Sequence, residues 1–194
     1  MGPALTLTMR AGLSSCLSFL LLMPTLGQAL DLTPKESWRQ LEGFRIPTLI
    51  FTHGASKIHY QPPGEWQVSG GGHTLSLYPG EQGAFMQLRT VARPATVEGT
   101  PEDVAKFSRL FLPPDATDVQ LTEERPSPFM LDGCASQEFI YSYNAGGQRF
   151  LTAIALCDLD ARERVVVVIT ARAADFKSIH DTGISSLFSW NRRN

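Results

Sequence analysis

The chain has 194 residues, 43% of them hydrophobic and 19% charged, and a formal net charge of −2. That is enough chain for one domain around one apolar core. It lacks the cationic excess with which nucleic-acid proteins displace counterions; no block of Lys or Arg stands out, and the terminal Arg192-Arg193 pair reads as a solubilising tail.

The first 29 residues read as a secretory signal peptide. Arg10 gives a positive start, an uncharged run follows with Leu17 to Met23 as its apolar centre, and Pro24 breaks that run. Gly27-Gln28-Ala29 places small residues at the two positions a signal peptidase reads. A retained anchor would want about 20 apolar residues in a row, and Ser14, Ser15, Ser18 and Pro24 interrupt this one. Leu13-Ser14-Ser15-Cys16 matches a lipobox in letters, but the apolar core follows Cys16 instead of preceding it. The expected organisation is a leader over 1–29 and a single domain over 30–194. The expected location is periplasmic or extracellular, with no stable membrane insertion after cleavage.

Thr33-Pro34-Lys35-Glu36 has the chemistry of a helix start, a capping hydroxyl followed by Pro and an acid. The spacing predicts a short helix that puts Trp38 and Leu41 inward and ends at Gly43. Ile46 to Phe51 and Lys57 to Tyr60 are strand-like, and Pro47 marks the first as an edge or irregular piece. Pro62 to Trp66 is a turn into an aromatic anchor. A hairpin joins Trp66-Gln67-Val68 to Thr74–Tyr78, and Ala84 to Ala92 alternates with a period of two.

Thr100-Pro101-Glu102-Asp103 repeats the helix-start chemistry, with Val104, Phe107, Leu110 and Phe111 on one stripe and Pro113-Pro114 as the stop. Strands follow at Val119 to Glu123, Cys134 to Tyr143, Arg149 to Cys157 and Arg164 to Ala171. Val165 to Ile169 is apolar on both faces, as in a strand with a layer on each side. A last helix from Asp175 spaces Phe176, Ile179, His180, Gly183, Ile184, Leu187 and Phe188 along one side. The expected fold class is α+β: a single antiparallel sheet of about six to seven strands flanked by helices.

If the turn at 144–148 centres on Ala145-Gly146, Tyr141 faces Phe150, Tyr143 faces Gln148 and Cys134 faces Cys157. Cross-strand partners reach about 4.5 Å between Cα atoms, near the lower edge of disulfide geometry. A Cys134–Cys157 bridge is therefore expected, stabilising by about 3 kcal/mol; two free buried thiols are the alternative.

Chemistry is sparse. His53, His59, His73 and His180 lack zinc-ligand spacing, and Gly-x-Ser-x-Gly, a phosphate-cradling loop and a dinucleotide fingerprint are absent. No catalytic residue, metal or cofactor is assigned. Glu138 is the best acid–base candidate, with the solvent side opposite Ala153 as its ordinary place. Phe139, Tyr141, Tyr143 and Phe150 share one sheet face. They either pack under a helix or, with Trp66, line a groove for an apolar or peptide-like ligand.

His59 to Trp66, Thr100-Pro101-Glu102, the Phe139 to Ile169 strands, Phe176 to Ile179 and Ser186-Leu187-Phe188 occur in an order that resembles PsbP-like domains, including envelope proteins of the DcrB type. The resemblance spans roughly residues 45 to 190. It implies an α/β/α sandwich and an adaptor or assembly role without catalysis. The expected function is thus an exported binding protein for an unknown protein partner or apolar ligand in the cell envelope. A small extracytoplasmic hydrolase or metal-dependent enzyme is the alternative.

Overall fold

In the computed structural model, residues 29–81, 83–92 and 101–193 are described. The expected leader, apart from Ala29, lies outside them, as does Thr100.

The helix expected at Thr33 is a strand, β1 (Leu30–Leu41), which pairs antiparallel with β2 (Phe44–His53). The Thr33 hydroxyl, the intended cap, instead accepts the Gly72 N–H at 2.9 Å, and the Leu32 N–H donates to the Gly72 carbonyl at 2.7 Å. Leu30 and Leu32 are buried. Nonlocal pairing and burial thus override a weak local preference. Glu42 and Gly43, both at positive φ, form the two-residue turn into β2. β3 (Ser56–Tyr60) pairs with β2 only as far as Leu49, so Pro47 lies where β2 is bonded on one side alone. β11 (Asn191–Arg193) adds to β3, giving a four-stranded sheet in the order β1-β2-β3-β11.

The second sheet has seven strands. The expected hairpin is β4 (Gln67–Gly71) with β5 (Thr74–Tyr78). Next come β6 (Phe85–Ala92), β7 (Thr117–Leu131), β8 (Cys134–Ala145), β9 (Gln148–Asp158) and β10 (Glu163–Arg172). Their order is β4-β5-β6-β10-β9-β8-β7, and every pair is antiparallel. Among the described residues, two sheets and two short helices replace the expected single sheet flanked by helices. The helices are α1 (Pro101–Ser108), extended by a 3-10 turn over Arg109–Phe111, and α2 (Phe176–Leu187).

The large sheet is the middle layer. Val165, Val167 and Ile169 of β10 face a core shared with α2 and the inner face of the small sheet, including Phe51, Ile58 and Tyr60. Val166 and Val168 face the other way, with Phe139, Tyr141, Ile154 and Leu156, beneath Phe107 and Phe111. Burial on both sides explains the unbroken apolar run. Leu110, 74% exposed, and Phe188, 67% exposed, leave the expected stripes. β7 is an edge strand, and its Pro126, Pro128, charged side chains and register shifts suit an edge.

The β8–β9 turn centres on Gly146-Gly147, at φ 55° and 75°, not on Ala145-Gly146. Both central positions need positive φ, which costs Ala more than Gly. The register therefore moves by two: Tyr143 faces Phe150, Tyr141 faces Thr152, and Cys157 faces Ser136 instead of Cys134. Diagonal neighbours lie about 7–8 Å apart, beyond ordinary disulfide reach. Both cysteines are free thiols, Cys157 buried and Cys134 partly so.

Candidate functional site

Glu138 does not face solvent. It points from β8 to the α2 side of the sheet, opposite Ala155, and is fully buried. Its Oε1 lies 2.9 Å from His180 Nε2, and Arg125 Nε donates to its Oε2 at 2.7 Å. Burial alone would raise this carboxyl; His180 and Arg125 outweigh burial and hold it below the ordinary glutamate value. His180 Nδ1 lies 3.5 Å from Asp181 Oδ1, and its ring packs on Phe176 at 5.3 Å. A ring held between two carboxylates is a strut between α2 and the sheet. With both nitrogens engaged, neither is offered to a substrate. An open cleft beside it, of about 430 Å³, is lined by Arg125, Pro126, Pro128, His180, Ile184 and Ser185, among others.

The aromatic candidates pack as core. The Tyr141 hydroxyl shares a 2.6 Å hydrogen bond with Ser108 Oγ and donates to the Ala105 carbonyl at 2.9 Å, which pins α1 to the sheet. Tyr143 is buried and stacks on the half-buried Phe150 at 5.8 Å. Trp66 packs against the opposite core, where its ring approaches Gly183. The sheet thus separates Trp66 from Tyr141 and Tyr143, and the four do not form one groove. Among the described residues no group of three or more His, Cys, Asp or Glu is placed to hold a metal ion.

The small sheet carries a feature that the linear sequence hides. Cross-strand partners share a face, and the partners Lys35–Ile50, Arg39–Ile46, Ile50–His59, Thr52–Lys57 and Lys57–Arg193 all lie on the face away from the core. Lys35, Arg39, Lys57, His59 and Arg193 therefore gather on one sheet surface. Asp31, at its far end beyond a bulge, is turned onto the Thr33 N–H at 2.9 Å. Desolvation, then the charges of Arg193, Lys57 and Arg39, depress the His59 pKa. A groove of about 280 Å³ opens at the rim of this face between Trp38, which is 62% exposed, and Phe188. None of the described residues lining it is acidic. Arg193 belongs to a strand and Arg192 pairs with Asp132 at 2.7 Å, so the terminal pair is no loose tail.

No family model and no curated protein matches the chain. Among solved structures it is similar to the cyanobacterial PsbP protein CyanoP from Synechocystis sp. PCC 6803: TM-score 0.48, 12% identity, 69% of this chain and 85% of that one. It is also similar to PA94, a protein of unknown function from Pseudomonas aeruginosa: TM-score 0.39, 12% identity, 75% of this chain and 89% of the other.

Proposed function

We propose that the chain is an exported, non-catalytic accessory protein that docks an acidic surface of a partner protein on the cationic face of its small sheet. The observation that carries this is the clustering of Lys35, Arg39, Lys57, His59 and Arg193 on one sheet face. Like charges brought this close repel, adding to the burial that depresses the His59 pKa, and an acidic partner relieves that repulsion. Trp38 and Phe188 at the rim add apolar area of the kind that anchors interfaces.

Support for a role without catalysis comes from the commitments of Glu138, the best acid–base candidate of the sequence, and of Asp158. Glu138 is bound by His180 and Arg125, and the partly buried Asp158 accepts two hydrogen bonds from Arg164 at 2.6 and 3.2 Å. The hydrolase or metal-enzyme alternative needs a base or ligand set free to act. Export rests on the leader sequence. Among the described residues no helix is long and apolar enough to cross a membrane.

The test is photo-crosslinking in cells from Thr52 on the cationic face, with Leu121 on the far edge strand as control. Thr52 adducts should be to a protein segment rich in Asp and Glu. They should disappear in high salt and in the Arg39→Glu/Lys57→Glu variant. Lipid adducts alone, or the same adducts from both positions, would sink the reading.

A further inference from the structure

We infer that the bond between Ala29 and Leu30 is the cleavage site, and that the freed Leu30 α-ammonium is a built-in structural cation held by Glu163. This rests on the export reading and extends it to the folded core.

Leu30 is wholly buried at the start of β1, whereas Ala29 is exposed at the mouth of a cleft of about 750 Å³. The Leu30 nitrogen faces both carboxylate oxygens of Glu163, at 3.1 and 3.0 Å. An amide offers one proton to those two acceptors; an ammonium offers three.

Among the described residues, Glu163 also meets no charged partner in its immediate contacts. His53 Nε2 lies 3.4 Å from Oε2. However, the Arg192 guanidinium, which can only donate, meets His53 Nδ1 at 2.7 Å. Nδ1 must then be the acceptor, so His53 is the neutral tautomer with its proton on Nε2. A buried carboxylate served by an amide and a neutral imidazole is stabilised less than one facing a cation. The other charged or titratable groups that line the cleft, among the described residues, are Asp160 and Arg162, on the β9–β10 turn, and His73. Asp160 Oδ1 is occupied by the N–H groups of Arg162 and Glu163, at 2.6 and 2.9 Å.

Hydrolysis by a signal peptidase supplies what is missing. One water is consumed, the new carboxylate leaves with Ala29, and the Leu30 nitrogen takes up a proton at neutral pH. Cleavage thus adds a positive charge beside a buried acid that already faces the Leu30 nitrogen.

The experiment uses the full chain, expressed in an exporting host. Intact mass and N-terminal sequencing of the extracytoplasmic protein should give residues 30–194. An uncleaved chain retained in the cytoplasm would overturn the export reading and this inference together. Export with cleavage at another bond would overturn this inference alone. For the Leu30 form, acylation of the α-amine at neutral pH should be at least about 100-fold slower in the native than in the unfolded protein. Glu163→Gln should lose about tenfold of that protection. An unprotected wild-type amine refutes the pairing without recourse to any variant, and so does a folded Glu163→Gln protein labelled at the wild-type rate.

Discussion

His180 Nε2 sits 2.9 Å from Glu138 Oε1, across 42 residues of sequence and between two layers of the fold. That contact ties the last helix to the eighth strand and turns a carboxylate that reads as solvent-facing into an internal fastener. It also defines the first of the expected outcomes.

Replacing Glu138 by Gln leaves His180 and Arg125 facing a neutral amide. Breaking such a buried charged contact should destabilise by about 2–4 kcal/mol, read as a lower urea midpoint with an unchanged slope. Because the Glu138 pKa falls on folding, its contribution is complete above the unfolded value of 4.5 and is lost as pH drops below it. The gap between wild type and Glu138→Gln should therefore narrow from pH 6 to pH 3. A constant gap would contradict the assigned pairing.

His59 behaves in the opposite sense. Its pKa is depressed, so the folded protein resists its protonation, and this cost to stability sets in as pH falls below the ordinary value of 6.5. His59→Gln should flatten that part of the stability profile. Addition of polyglutamate should raise the His59 pKa, seen by NMR titration of its ring, and the shift should vanish in high salt. An unmoved His59 titration would count against the cationic face as an acid-binding surface.

Tyr141→Phe removes one hydroxyl that serves both Ser108 and the Ala105 carbonyl. The expected loss is about 1–2 kcal/mol. It should be concentrated in α1, whose amides at 105–108 should exchange faster while those of β9 stay protected. Uniform loss across the protein would mean that the hydroxyl does not act through α1.

At Gly183 α2 comes close to the large sheet: a Cβ there would stand 3.1 Å from Ile169 Cδ1 and 3.2 Å from Met86 Sδ. Gly183→Val should destabilise by about 1–3 kcal/mol through overpacking, even though most residues propagate a helix better than Gly. Pairing it with Met86→Ala should recover part of the loss, because the smaller side chain makes room.

Burial raises the Cys157 thiol to about 12. Alkylation of native protein at pH 8 should therefore modify the partly exposed Cys134 and spare Cys157, with both reacting after unfolding. Mass analysis without reductant reads this directly; two unreactive cysteines in unfolded, unreduced protein would reveal a bridge.

What the sequence determined by itself was local. The β4–β5 hairpin, the alternation of β6, the doubly apolar β10 and the buried stripe of α2 from Phe176 to Leu187 were legible. Each is a periodic pattern of side chains within a dozen residues. Tertiary structure decided the rest. β1 has helix-start chemistry yet became a strand, because β2 and the Gly72 turn satisfy its backbone from a distance. The β8–β9 register turned on which pair of residues tolerates positive φ, and the two-residue shift separated the cysteines. The cationic face draws on positions 35, 39, 57, 59 and 193, too scattered for any charge run to show. Glu138 was misread for a related reason: a period of two tells which side of a strand is apolar, but whether the other side meets water depends on what else folds over it.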